Sequence, residues 1–225
     1  MLILQAQTTV ADTTATVATD MNLWEMFKYG GPIMYVLVAM LAFAIYLLIE
    51  RIVTLKQALK EDNTFMNRIR DYIYDGKIDA AIKLCRETDS PTSRMVEKGI
   101  SRIGRPMSDV LVAIENVGNI EVAKLEKGLI FMASISGGAP MLGFLGTVTG
   151  MVTTFYNMSQ NNSGAIEMGD LSVGMYQAMV TTIGGLIVGI VAYFAYNYLV
   201  SRVESVVRKL EGRTMEFLDL LNEPA

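Results

Sequence analysis

The chain has 225 residues, 52% of them hydrophobic, and carries 19 Lys and Arg against 23 Asp and Glu, a net charge of −4. It contains no histidine and one cysteine, Cys85, which leaves no parts for a His/Cys metal site, a haem-ligating histidine, a Ser-His-Asp triad or an intrachain disulfide. The weakly acidic balance gives no support for nucleic-acid binding, and no Gly-rich phosphate loop ending in Lys-Ser/Thr is present.

The apolar residues come in blocks rather than at a period of 2 or 3.6. Charges vanish from 29–49, 128–166 and 171–201 and crowd into the stretches between. Residues 1–28 lack both a basic leader and a long apolar run, so an uncleaved outer tail is expected. Its end, 21–28, carries Leu23, Trp24 and Phe27 and reads as an interfacial segment, where Trp is favoured. Residues 29–50 form the first predicted transmembrane helix, opened by Gly30-Gly31-Pro32 and closed by Glu50-Arg51. About twenty apolar residues suffice to cross roughly 30 Å of hydrocarbon.

Residues 51–127 read as a helical cytoplasmic domain. Apolar stripes run through Ile52, Leu55 and Leu59, then Phe65, Ile69, Tyr72 and Ile73, then Ile78, Ala81, Ile82 and Cys85. Cys85 on such a stripe is expected to be a buried small hydrophobe. Gly76 is the predicted cap of one helix, and Ser90-Pro91 starts another carrying Met95, Val96, Ile100 and Ile103, broken at Gly104 to Pro106. A further helix opens at Ser108-Asp109 and is expected to run unbroken through Lys127 into the membrane, a rod of roughly 65–70 Å at 1.5 Å per residue.

The second predicted transmembrane helix is 128–156, an outer loop follows at 157–170, the third transmembrane helix is 171–201, and a cytoplasmic C-terminal helix occupies 202–225. Lys28 alone precedes the first span. Fourteen basic residues lie from Arg51 to Lys127, none in the 157–170 loop, and Arg202, Arg208, Lys209 and Arg213 follow the third span. The excess of positive charge marks the cytoplasmic side, so the N-terminus faces outward and the C-terminus inward.

The second and third spans carry small and hydroxyl residues at helical spacing. Thr147, Gly150 and Thr154 share one face, and Ala178, Thr182, Gly185, Gly189 and Ala192 share another. Such stripes either let helix backbones approach and hydrogen-bond or line a polar path. No Asp, Glu, Lys, Arg or His lies well inside any span. A proton path normally needs a titratable group, so a conducting role requires another chain to bring it.

The string Ala139-Pro140-Met141-Leu142-Gly143-Phe144-Leu145-Gly146-Thr147-Val148-Thr149-Gly150, with Gln177-Ala178-Met179-Val180-Thr181-Thr182 and Ala195-Tyr196-Asn197, resembles the ExbB/TolQ/MotA family of proton-channel subunits, and ExbB most among them. The resemblance implies an all-α membrane protein with three transmembrane helices and long cytoplasmic helical extensions, assembled as a ring-forming homo-oligomer, a pentamer. It implies two copies of a single-span ExbD- or TolR-type partner in the pore, whose Asp carries the protons, and a TonB-type protein as recipient of the work. Membrane lipids are the remaining partner, and no cofactor or enzymatic activity is implied. Thr147 and Thr182 match the pore threonines, with Thr181, Thr154 and Gln177 along the pathway. Gln177 stands where a Glu is common. Pro140, Gly146, Gly150, Gly185 and Gly189 match helix-packing positions. A TolQ-like role in the envelope, or a non-conducting scaffold, are the alternatives.

Overall fold

The structure is a computed structural model that describes residues 30–59, 64–160 and 168–222. The tail and interfacial segment expected at 1–28, and the middle of the loop expected at 157–170, lie outside those residues. Among the described residues the regular structure is entirely α-helical. The helices are α1 (Gly31–Leu59), α2 (Phe65–Tyr74), α3 (Ile78–Thr88), α4 (Pro91–Ile100), α5 (Met107–Glu126), α6 (Leu129–Gln160) and α7 (Met168–Asn222). Among the described residues three runs are long and apolar enough to cross a membrane: one within Gly31–Leu59, one within Met107–Gln160 and one within Leu171–Asn222.

The helix boundaries follow local chemistry. Asp75 ends α2, and Gly76 takes the left-handed turn at φ +71° that other residues resist. Ser90 caps α4: its hydroxyl accepts from the Ser93 N–H at 3.0 Å, while its own N–H donates to Ser93 Oγ at 2.9 Å. Pro91 follows at the first helical position, where no N–H is needed. Lys209 holds the end of α1 by donating from Nζ to the Leu59 carbonyl at 3.2 Å.

The expected unbroken rod from Ser108 into the second span is corrected. α5 ends at Glu126, Lys127 is extended with ψ 127°, and Gly128 sits at φ +92° before α6 begins. Gly128 is thus a breaker inside an otherwise helical run. Arg51 fills the notch. Its Nη1 donates to the Lys124 carbonyl at 3.3 Å, one of the carbonyls left free where α5 stops. Its Nε lies 2.9 Å from the Glu50 carboxylate. The second and third spans also reach further into the expected loop, to Gln160 and from Met168. The third span continues without a break into the predicted C-terminal helix.

The chain divides into two compact units. One comprises the described residues up to Leu41 with Gly137–Gly189, the other Ala42–Ser136 with the chain from Ile190 onward. In the second unit the short helices close over the end of α7. Phe217, Ile69, Ala81, Cys85, Val96 and Ile114 are all at most 2% exposed. Phe217 comes so close to Gly99 that a Cβ there would overlap its ring. Cys85 is a buried hydrophobe as expected, and burial, followed by the charge of Glu97, pushes its thiol up to about 12.

The same unit buries one carboxylate. Glu121 accepts from Arg94 Nη2 at 2.6 Å and from Lys124 Nζ at 2.7 Å. Burial pushes its carboxyl up, but the bonds and charges of Arg94 and Lys124 outweigh that and hold it below the usual carboxylate range. Elsewhere large apolar side chains are left uncovered, including Tyr46, Phe144 and Phe194 at 63–68% exposure. On helices of this length that surface suits lipid or neighbouring subunits.

Candidate functional site

In the first unit α6 and α7 pack antiparallel through their smallest residues. A Cβ on Gly185 would lie 2.6 Å from the Ala139 carbonyl oxygen and 2.8 Å from Gly143 Cα. One turn along, Gly146 lies against the Thr181 side chain, then Gly150 against Ala178, then Thr154 against Gly174. The positions step by three and four on both helices, so one face of each is a groove for the other. In hydrocarbon, where apolar side chains gain little from leaving lipid, such close backbone contact supplies the packing. The packing role expected of Gly146, Gly150 and Gly185 rests on these contacts. Gly189 is buried.

Hydroxyls mark this seam. Thr182 Oγ1 donates across it to the Gly143 carbonyl at 3.3 Å. Thr181, 2% exposed, donates to Ala178 O at 2.8 Å within its own helix. Thr147 donates to Phe144 O at 2.6 Å and is half-exposed. Pro140 stands inside α6, one turn before Gly143, where it has no N–H to offer the Ser136 carbonyl.

Beside the seam lies a cavity of about 460 Å³ with a mixed polar and apolar lining. Thr149, Thr153, Thr154 and Asn157 of α6 form one wall, Val173, Gln177 and Thr181 of α7 another, and Gly30 with Pro32 and Ile33 of the first turn of α1 a third. Gly31, at φ +64°, lets the chain pass so close to Gln177 that a Cβ there would overlap Nε2 of the amide.

The structure therefore divides the expected site residues. Gln177, Thr181, Thr154, Gly146 and Gly150 all border this one cavity, whereas Thr147 and Thr182 are outside its lining. Sequence reading passed over Thr149, Thr153, Asn157 and the start of α1. The signal for the first three was present: residues four apart form a polar stripe on one face of a charge-free helix. The contribution of α1 had no such signal, because Gly30, Pro32 and Ile33 bring no polar side chain to the cavity.

Residues 87–212 match the model of the MotA/TolQ/ExbB proton channel family. The chain is 28% identical to an ExbB homolog of Methanothermobacter thermautotrophicus over 83% of its own length and 66% of that protein's. It is 27% identical to the biopolymer transport protein ExbB of Neisseria meningitidis over 90% of this chain and 99% of the relative. With the Tol-Pal system protein TolQ of Haemophilus influenzae it shares 24% identity over 92% and 96% of the two chains.

Proposed function

Since the chain belongs to the MotA/TolQ/ExbB proton channel family, we propose that it is an ExbB-type ring subunit of a bacterial inner-membrane complex. That complex is driven by the proton-motive force and energises TonB-dependent transport across the outer membrane. The observation that carries this reading is a pair of charge-free spans, 128–156 and 171–201, joined by a glycine seam and bearing hydroxyls at Thr147 and Thr182, without an acid of their own. Proton transfer needs a titratable group, so the acid comes from another chain, a single-span ExbD- or TolR-type helix inside the ring. Thr147 and Thr182 face that helix. The clustering of 18 of the 19 basic residues in 51–127 and 202–225 supports an outer N-terminus and a cytoplasmic C-terminus.

The test is proton flux in liposomes under a pH gradient, with the chain alone and with an ExbD-type partner from the same genome. Flux is expected only with the partner. Thr147→Val and Thr182→Val are expected to abolish it while native mass spectrometry still shows the ring. Absence of partner-dependent flux in the unmodified complex would leave a scaffold. The near full-length similarity to TolQ favours a second reading, a subunit of an envelope-spanning Tol-Pal system. Complementation of strains lacking one system or the other separates the two.

A further inference from the structure

The cavity beside the seam belongs to a single protomer, and its lining states what it can hold. Each threonine hydroxyl carries one proton and two lone pairs. In all four threonines of the lining that proton is held by the helix backbone. Thr149 donates to Leu145 O at 2.9 Å, Thr153 to Thr149 O at 2.9 Å, Thr154 to Gly150 O at 2.8 Å and Thr181 to Ala178 O at 2.8 Å. What these side chains present to the cavity is therefore acceptor oxygens. The amides of Asn157 and Gln177 bring both donor and acceptor to the same space. No ionisable side chain is among the lining residues. A neutral lining of hydroxyl oxygens and two amides is matched by water, which both donates and accepts.

A dry cavity would leave the amides of Asn157 and Gln177 without partners inside a span, at a cost of several kcal/mol each in the hydrocarbon limit. At roughly 30 Å³ per molecule the space holds on the order of ten waters. It lies where α6 ends and where α1 and α7 begin, and it stops at Gly146 and Thr181. Those two residues are the sequence neighbours of Thr147 and Thr182. We infer that each protomer carries its own water-filled vestibule, which admits protons from the outer side of the membrane and leads them to the Gly146–Thr181 seam behind the pore threonines. The inference rests on the channel reading above and adds the route by which protons reach it.

Cysteines placed at increasing depth test the vestibule in the full chain, assembled with its partner in sealed membrane vesicles. Asn157→Cys, Thr153→Cys and Thr149→Cys are treated with a membrane-impermeant thiol reagent, with Val38→Cys on the exposed face of α1 as the control. All three are expected to react from one side only, within about tenfold of one another and at least about a hundredfold faster than Val38→Cys. Reaction of Thr153→Cys and Thr149→Cys as slow as the control would mean a sealed or lipid-filled space and overturn the inference. A filling substitution, Thr153→Phe, is expected to lower partner-dependent flux at least tenfold with the ring intact. Undiminished flux would overturn the proton route. If the unmodified complex conducts nothing, the channel reading and the route fall together, while the thiol rates still decide whether the space is wet.

Discussion

Gly146 and Thr181 touch so closely that a methyl group on the glycine would overlap the threonine hydroxyl. A backbone on α6 meets a side chain on α7 there, whereas at Gly185 backbone meets backbone, with the Ala139 carbonyl 2.6 Å from a Cβ placed on it. The two contacts respond differently to the same substitution. Overpacking costs typically about 1–3 kcal/mol. Gly185→Ala is expected at the upper end, about 3 kcal/mol, because no rotamer change relieves a backbone clash. Gly150→Ala, with its Cβ 3.1 Å from that of Ala178, is expected at about 1 kcal/mol. Gly146→Ala falls between, and Thr181→Gly in the same chain restores much of the loss while Gly185→Ala has no such rescue. Thermal unfolding in detergent ranks the variants. Equal effects at 150 and 185 would contradict the seam.

The Gly31–Gln177 contact has two separable parts. Gly31→Ala introduces a Cβ at φ +64° and an overlap with the Gln177 amide. The backbone part alone costs about 1–2 kcal/mol. A double-mutant cycle with Gln177→Ala is expected to recover only the overlap, leaving the backbone cost in place. Full recovery would mean that α1 reshapes its first turn without strain.

Glu121 makes the second unit sensitive to acid. Its carboxyl is held below the usual range, so its contribution is complete above the unfolded value of about 4.3 and is lost as pH falls from there through the folded value. Glu121→Gln keeps the shape and removes the charge, at an expected cost of about 2 kcal/mol near neutral pH. The difference in unfolding temperature between parent and variant should stay constant at neutral pH and narrow on acidification below about pH 4. A gap that instead widens in acid would refute the role of Arg94 and Lys124.

Cys85 should be inert. It is 1% exposed and its thiol is pushed up to about 12, so almost no thiolate exists at neutral pH. Labelling by a maleimide at neutral pH is expected to be at least a hundredfold slower in the folded chain than in denaturant. Rapid labelling of the folded chain would show that α3 opens.

The organisation of the membrane helices was legible because the charge-free blocks report directly on hydrocarbon, a solvent that excludes ionised groups wherever they stand on a helix. Gly76 and Ser90-Pro91 were legible for a similar reason: left-handed turns and capping are local, decided by two or three residues. Gly128 followed the same local rule but was hidden, since it opens a stretch of apolar residues that already reads as helix. It becomes a break only with Arg51, 77 positions earlier, filling the notch.

The candidate site was legible in composition and not in arrangement. Hydroxyls and glycines at three- and four-residue spacing showed that α6 and α7 carry polar, close-packing faces. They did not show which threonines share a space. Thr181 and Thr182 are adjacent in the chain but sit 100° apart around a helix, so one borders the cavity and the other bonds across the seam to Gly143. The number of spans and the absence of an acid from them are properties of the residues alone, because solvation acts on each side chain separately. The pairing of Gly146 with Thr181, the placement of α1 against Gln177 and the cavity they enclose depend on the register between distant helices. Many small contacts set that register together, and no single stretch of sequence contains it.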